Sequence, residues 1–161
     1  MKSKPLSIIL VLTVLAFSLG NRGCSTSEID RTLNALNALP PLVTSFHLPA
    51  NIESRILEGI REGKAAFLIF RDNPTVGNLR NAIAVFQGLV DRGIFQTENP
   101  QIDQRLGPAI ALVIFIMNTI NPTAQAESRD ADNQKVRISD EQQKVIDRKL
   151  DELGKLIKEG P

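Results

Sequence analysis

The chain has 161 residues, with 19 basic and 18 acidic side chains of interspersed sign. It offers no basic stripe for a phosphate backbone, so nucleic acid is not an expected partner. One cysteine and one histidine exclude an intramolecular disulfide and a zinc site built of Cys and His ligands. The absence of Trp and Tyr argues against sugar binding on an aromatic platform.

The chain opens with Lys2 and Lys4, then an uncharged apolar run of 14 residues from Leu6 to Leu19, with no acid before Cys24. That is the secretory pattern. At about 1.5 Å per residue the run reaches ~21 Å, short of the roughly 30 Å hydrocarbon core of a bilayer, so a cleaved export signal fits better than a spanning helix. Removing residues 1–23 takes away Lys2, Lys4 and Arg22 and leaves 16 basic against 18 acidic side chains.

Gly23 before Cys24, with the polar Ser25-Thr26-Ser27 after it, resembles the lipobox of bacterial lipoproteins. The resemblance covers this segment alone. It implies a lipid on Cys24, which becomes the mature N-terminus and ties the protein to a membrane of the cell envelope. Asn21 and Arg22 depart from the aliphatic and small residues usual in that motif. Two alternatives stay open: ordinary cleavage at the small-x-small pair Ser18 and Gly20, or an uncleaved anchor accommodated by tilt or local thinning.

From Ser25 onward the punctuation is helical. Ser25, Thr26 or Ser27 caps a helix with Ile29, Leu33 and Leu36 at helical spacing, and Glu28 lies in the first turn, where the helix dipole favours an acid. Pro40-Pro41 is expected to end or bend it. Pro49 opens the next helix, whose apolar face runs through Ile52, Ile56, Ile60, Gly63, Phe67 and Phe70. Asn73-Pro74 gives a third start, with a stripe of Val76, Leu79, Ile83, Phe86, Leu89 and Val90 that ends near Gly93. Asn99-Pro100 gives a fourth. Short connections between these segments predict neighbouring antiparallel helices.

In the fourth helix, Gly107-Pro108 predicts a kink or restart. Residues Ala109 to Met117 are all apolar, which predicts a central helix of the bundle or, as the sharper reading, membrane contact. Gly59 and Gly63 form a Gly-x-x-x-Gly pair, but Arg61 and Glu62 between them point to a close crossing in a soluble bundle rather than a membrane span.

Residues 121–138 carry almost no large apolar side chains and read as a polar linker. Ser139 and Gln142 then form a capping box, followed by Ile146, Leu150, Leu153 and Ile157 at spacings of 4, 3 and 4. This narrow seam can dock on the bundle, pair with another chain or a second copy of this one, or stay free until it meets a partner. The expected fold is therefore all-α. It comprises an export signal over 1–23, an irregular bundle of about four helices over 24–120, a linker over 121–138 and a C-terminal amphipathic helix over 139–161.

No catalytic constellation is visible. His47 stands alone between Phe46 and Leu48, Cys24 adjoins the signal, and Glu58, Glu62, Asp91, Glu98 and Asp103 are spaced as solvated helix faces. The expected function is non-enzymatic, without cofactor or metal: an exported envelope protein with a structural or adaptor role. The alternatives are a membrane-active lysis or toxin-type protein using Ala109 to Met117, and a carrier of an apolar ligand.

Overall fold

The computed structural model describes residues 26–120 and 131–158. Among them are five α-helices and no strands: α1 (Thr26–Ser45), α2 (Ala50–Asp72), α3 (Val76–Asp91), α4 (Pro100–Ile120) and α5 (Asp140–Lys158). The fold is an all-α bundle. Cys24 and the first part of the expected linker, residues 121–130, lie outside the described residues.

α1 buries Ile29, Leu33, Leu36, Leu39, Leu42 and Val43 along one face. Of the two outcomes expected at Pro40-Pro41, the helix does not end there: it continues through both prolines to Ser45. An interior proline costs a helix about 3 kcal/mol, because it removes one hydrogen bond and crowds the preceding turn. Continuing the helix seats Leu42 and Val43 in the core, each worth roughly 1.5–3 kcal/mol. Asn37 and Pro41 are exposed, so the carbonyl that loses its partner to Pro41 is on the solvent side.

α2 and α3 meet through glycine. An added Cβ on Gly59 would lie 2.6 Å from Cγ2 of Ile94, and one on Gly63 would lie 2.7 Å from Cε1 of Phe86. The expected close crossing is present, and it brings Phe86 over the backbone of α2. α3 starts later than Asn73-Pro74 predicts. Its N-cap is Thr75, whose hydroxyl accepts from the Asn78 amide at 3.3 Å. Pro74 instead offers its carbonyl to the Val136 amide at 2.9 Å, and the Val76 amide donates to the Gln134 carbonyl at 2.9 Å.

That pairing corrects the linker as well. Residues 131–138 include a 3₁₀ turn at Ala131–Asn133 and a short extended stretch beside the start of α3. Val136 is fully buried there and Ile138 packs on the core. One valine in a polar stretch carries no periodicity, so no local pattern marks this point as an anchor.

α4 is also continuous, with Pro108 inside it and exposed. Gln104 and Pro108 are both exposed, so the Gln104 carbonyl that loses its partner to Pro108 opens to water and not into the core. Leu106, Ala109, Ile110, Leu112, Val113, Ile116, Met117 and Ile120 are buried, while Ala111 and Phe115 are exposed. The helix therefore packs on α1, α3 and α5 but is not surrounded on every side. No helix among the described residues is long and apolar enough to cross a membrane.

α5 lies in the groove between α1 and α4. The first four helices are joined by short turns at 46–49, 73–75 and 92–99; α2 and α3 run antiparallel, with Gly59 at Ile94 and Gly63 at Phe86, as do α4 and α5, with Thr119 at Gln142 and Phe115 at Lys149. One end of the bundle thus gathers the start of α1, the end of α2, the start of α3, the end of α4 and the start of α5. Two side-chain hydrogen bonds tie the start of α5 to its neighbours here: Gln142 Nε2 donates to the Thr119 carbonyl at 2.7 Å, and Gln143 Nε2 donates to Glu28 Oε1 at 2.7 Å.

Candidate functional site

The C-terminal seam is the partner surface that the sequence nominates. Ile146, Leu150 and Leu153 are buried against the rest of the chain, and Ile157 is partly buried at the rim. The capping box forms as expected: the Gln142 amide donates to Ser139 Oγ at 3.2 Å, and the Ser139 amide donates to Gln142 Oε1 at 2.9 Å. Of the three fates open to the seam, the structure shows docking on the same chain. In this state Ile146 and Leu153 are covered by the same chain, while Leu150 and Ile157 border an open groove between α1 and α5.

The docked helix covers an acid. Glu28 is 1% exposed; its Oε1 accepts from Ser27 Oγ at 2.9 Å and from Gln143 Nε2 at 2.7 Å, while Oε2 is buried without a hydrogen-bond partner. One turn further on, Arg31 pairs with Asp147 at the surface. Together these polar contacts fix the register of α5 on α1, since a slip of one turn would leave the buried carboxylate with Ser27 alone. Sequence marked Glu28 only as a first-turn acid. Its burial depends on a helix more than a hundred residues away.

His47 sits exposed in the turn between α1 and α2 with a positive φ of 51°, its Nδ1 2.8 Å from the Ser45 carbonyl oxygen. It is at the opposite end of α1 from the residues that follow Cys24, about 30 Å away along the 20-residue helix. Asp103, expected as a solvated acid, instead secures the entry to α4. Its Oδ1 accepts from the Thr97 amide at 2.8 Å and from Thr97 Oγ1 at 2.7 Å. The described residues contain no group of three metal-ligating side chains.

An apolar concavity lies between the end of α3 and the exposed side of α4. It is an open groove of about 410 Å³, walled by Val90, Phe95, Ile110, Ala111 and Ile114, with Gln96 and Asp103 at its polar edge. Sequence assigned Val90 to the core stripe of α3. Leu89, assigned to the same stripe, is buried, but Val90, about 100° further round the helix, is exposed and lines the groove. The volume is in the range of small-molecule sites. The groove begins where the C-terminus of α3 and the N-terminus of α4 meet and extends along α4 as far as Ile114.

Compared with known proteins, the chain matches no family model, no curated protein and no solved structure.

Proposed function

We propose that this chain is a small, non-catalytic protein of the bacterial cell envelope, held to a membrane by a lipid on Cys24 and serving a structural or adaptor role. The observation that carries the reading is the short distance between tether and fold. Cys24 follows an export-type leader and precedes the first helical residue, Thr26, by two positions, so a lipid there holds the bundle within ~7 Å of its attachment point. With no long spacer, the folded domain works at the membrane surface.

Palmitate labelling combined with membrane fractionation tests the tether. We expect label and membrane association in the wild type and loss of both in Cys24→Ser. Unlabelled wild type that fractionates like the variant refutes it.

A second reading, carriage of an apolar ligand, is favoured by the groove of Val90, Phe95, Ile110, Ala111 and Ile114. Native mass spectrometry of the protein as isolated tests it. A co-purified apolar molecule that Ala111→Trp displaces supports this reading, and an unliganded mass for the wild type counts against it.

A further inference from the structure

One face of α4 is left uncovered. From Leu106 to Ile120 the helix holds no Asp, Glu, Lys or Arg, a pattern that calls for cover on every side. α1, α3 and α5 pack against it, yet a strip through Gln104, Gly107, Ala111, Phe115 and Asn118 stays exposed. Interface centres are marked by just this depletion of charge, with an aromatic anchor. Phe115 on the strip is 45% exposed, and Val90 beside it is 43% exposed.

The strip has a hollow on one flank and a projection on the other. Gly107 lies about 40° round the helix from Ala111 on the α3 side, where it lines the groove with Val90, Phe95 and Ile110. Phe115 lies about 40° from Ala111 on the α5 side, with Lys149 Nζ 5.5 Å from its ring centroid. A two-fold axis through a helix residue exchanges positions equally far before and after it. An axis at Ala111 therefore lays the α4 of a second copy antiparallel on this one. It sets Phe115 of each copy opposite Gly107 of the other, and Asn118 opposite Gln104. It also carries the α5 flank of each copy over the groove of the other.

The chemistry agrees at each level. A projecting ring meets a hollow of about 410 Å³, and one exposed amide side chain meets another. Asp103 is the charged residue at the edge of that groove, and both its bonds to Thr97 end on Oδ1. Lys149 arrives there beside Phe115. Its pair with Glu152 at 2.7 Å is a surface one of little worth, so the ammonium is able to turn to Oδ2 of the facing Asp103.

We propose that α4 is the seam of a symmetric homodimer in which Phe115 of each copy fills the groove of the other. The contact is isologous, so it closes on itself and leaves no further copy to add. The groove is thus occupied by the protein itself, where the second reading above has a small ligand. The contact needs no lipid on Cys24.

Cysteine pairing in the cells that make the full-length chain tests the axis. Ala111 meets itself, so Ala111→Cys should form an intermolecular disulfide on mild oxidation. Gln104→Cys and Asn118→Cys in one chain are ~21 Å apart along α4, too far to join within it. They should pair with each other between copies, and neither with itself. Joined peptides are identified by mass, which also separates any link through Cys24. Yields should stand several-fold above that of Ile69→Cys, a site 55% exposed on α2. Adding Ala111→Arg to the Gln104→Cys and Asn118→Cys chain places two like charges on the axis. It should bring the yield down to the Ile69→Cys level while the thermal unfolding of the chain stays unchanged. Yields no higher than that of Ile69→Cys, self-pairing of Gln104→Cys or Asn118→Cys, or a link that survives Ala111→Arg would each overturn the proposal. So would a native mass of one copy carrying an apolar molecule that Ala111→Trp displaces.

Discussion

The glycine crossing of α2 and α3 gives the sharpest test of the packing. In Gly63→Ala the new Cβ would fall 2.7 Å from both Cε1 and Cε2 of Phe86, inside ordinary van der Waals separation by about 1 Å. Phe86 is fully buried, so its ring cannot swing into solvent, and relief requires α2 and α3 to part. Overpacking of this kind costs about 1–3 kcal/mol. Against it stands the better helix propensity of alanine, worth about 1 kcal/mol. The net expectation for Gly63→Ala is a loss of roughly 0–2 kcal/mol, and for Gly63→Leu a larger one.

Two other glycines set the scale. At Gly59 the obstructing atom is Cγ2 of Ile94 at 2.6 Å, the β-branch methyl of a half-buried residue in the turn after α3. Its χ1 is stiff, but the turn that carries it can shift more readily than a packed helix, so Gly59→Ala should be milder than Gly63→Ala. At Gly88 an added Cβ meets nothing within 4 Å, and Gly88→Ala should stabilise by about 0.5–1 kcal/mol. Thermal unfolding followed by circular dichroism reads all three, at a few degrees of Tm for each ~1 kcal/mol. A Gly63→Ala variant as stable as Gly88→Ala would show that the helices do not approach as described.

Three further outcomes follow from the packing. Leu153→Ala removes a fully buried side chain where α5 docks and should cost about 2–5 kcal/mol in urea unfolding; a cost near zero would mean that α5 does not contribute to the folded core. Gln143→Leu withdraws one of the two donors to buried Glu28 and should cost about 1.5–3 kcal/mol. The same change made in a Glu28→Gln background should cost less, and additive effects in the double-mutant cycle would refute the coupling. Pro41→Ala restores a backbone hydrogen bond to the exposed side of α1 and should raise stability by about 1–2 kcal/mol after the gain in unfolded-state entropy is offset; a fall in Tm would argue against an unbroken helix.

Much of the architecture was legible in the sequence, and the reasons are local. The stripes Ile56-Ile60-Phe67-Phe70 and Leu79-Ile83-Phe86-Leu89 are buried as their 3.6-residue period requires. Pro49 and Asn99-Pro100 mark helix starts because a proline at the first turn forfeits no intrahelical hydrogen bond. The Ser139–Gln142 box caps α5 because both partners are three residues apart on one chain segment. The Gly-x-x-x-Gly pair announced a close crossing, since only an absent Cβ admits a ring that near the backbone.

Tertiary structure decided what local rules could not weigh. Pro40, Pro41 and Pro108 are breakers by propensity, yet the core on the far side of each helix outweighs their cost. Val136 found a buried place beside α3 through two backbone hydrogen bonds to residues some sixty positions earlier. Glu28 became an interior carboxylate only when α5 closed over it, and the seam of Ile146, Leu150 and Leu153 was spoken for by the same closure. Each of these outcomes depends on which helix lies next to which. That arrangement is fixed by the total burial of the whole chain, a sum to which no short window of sequence has access.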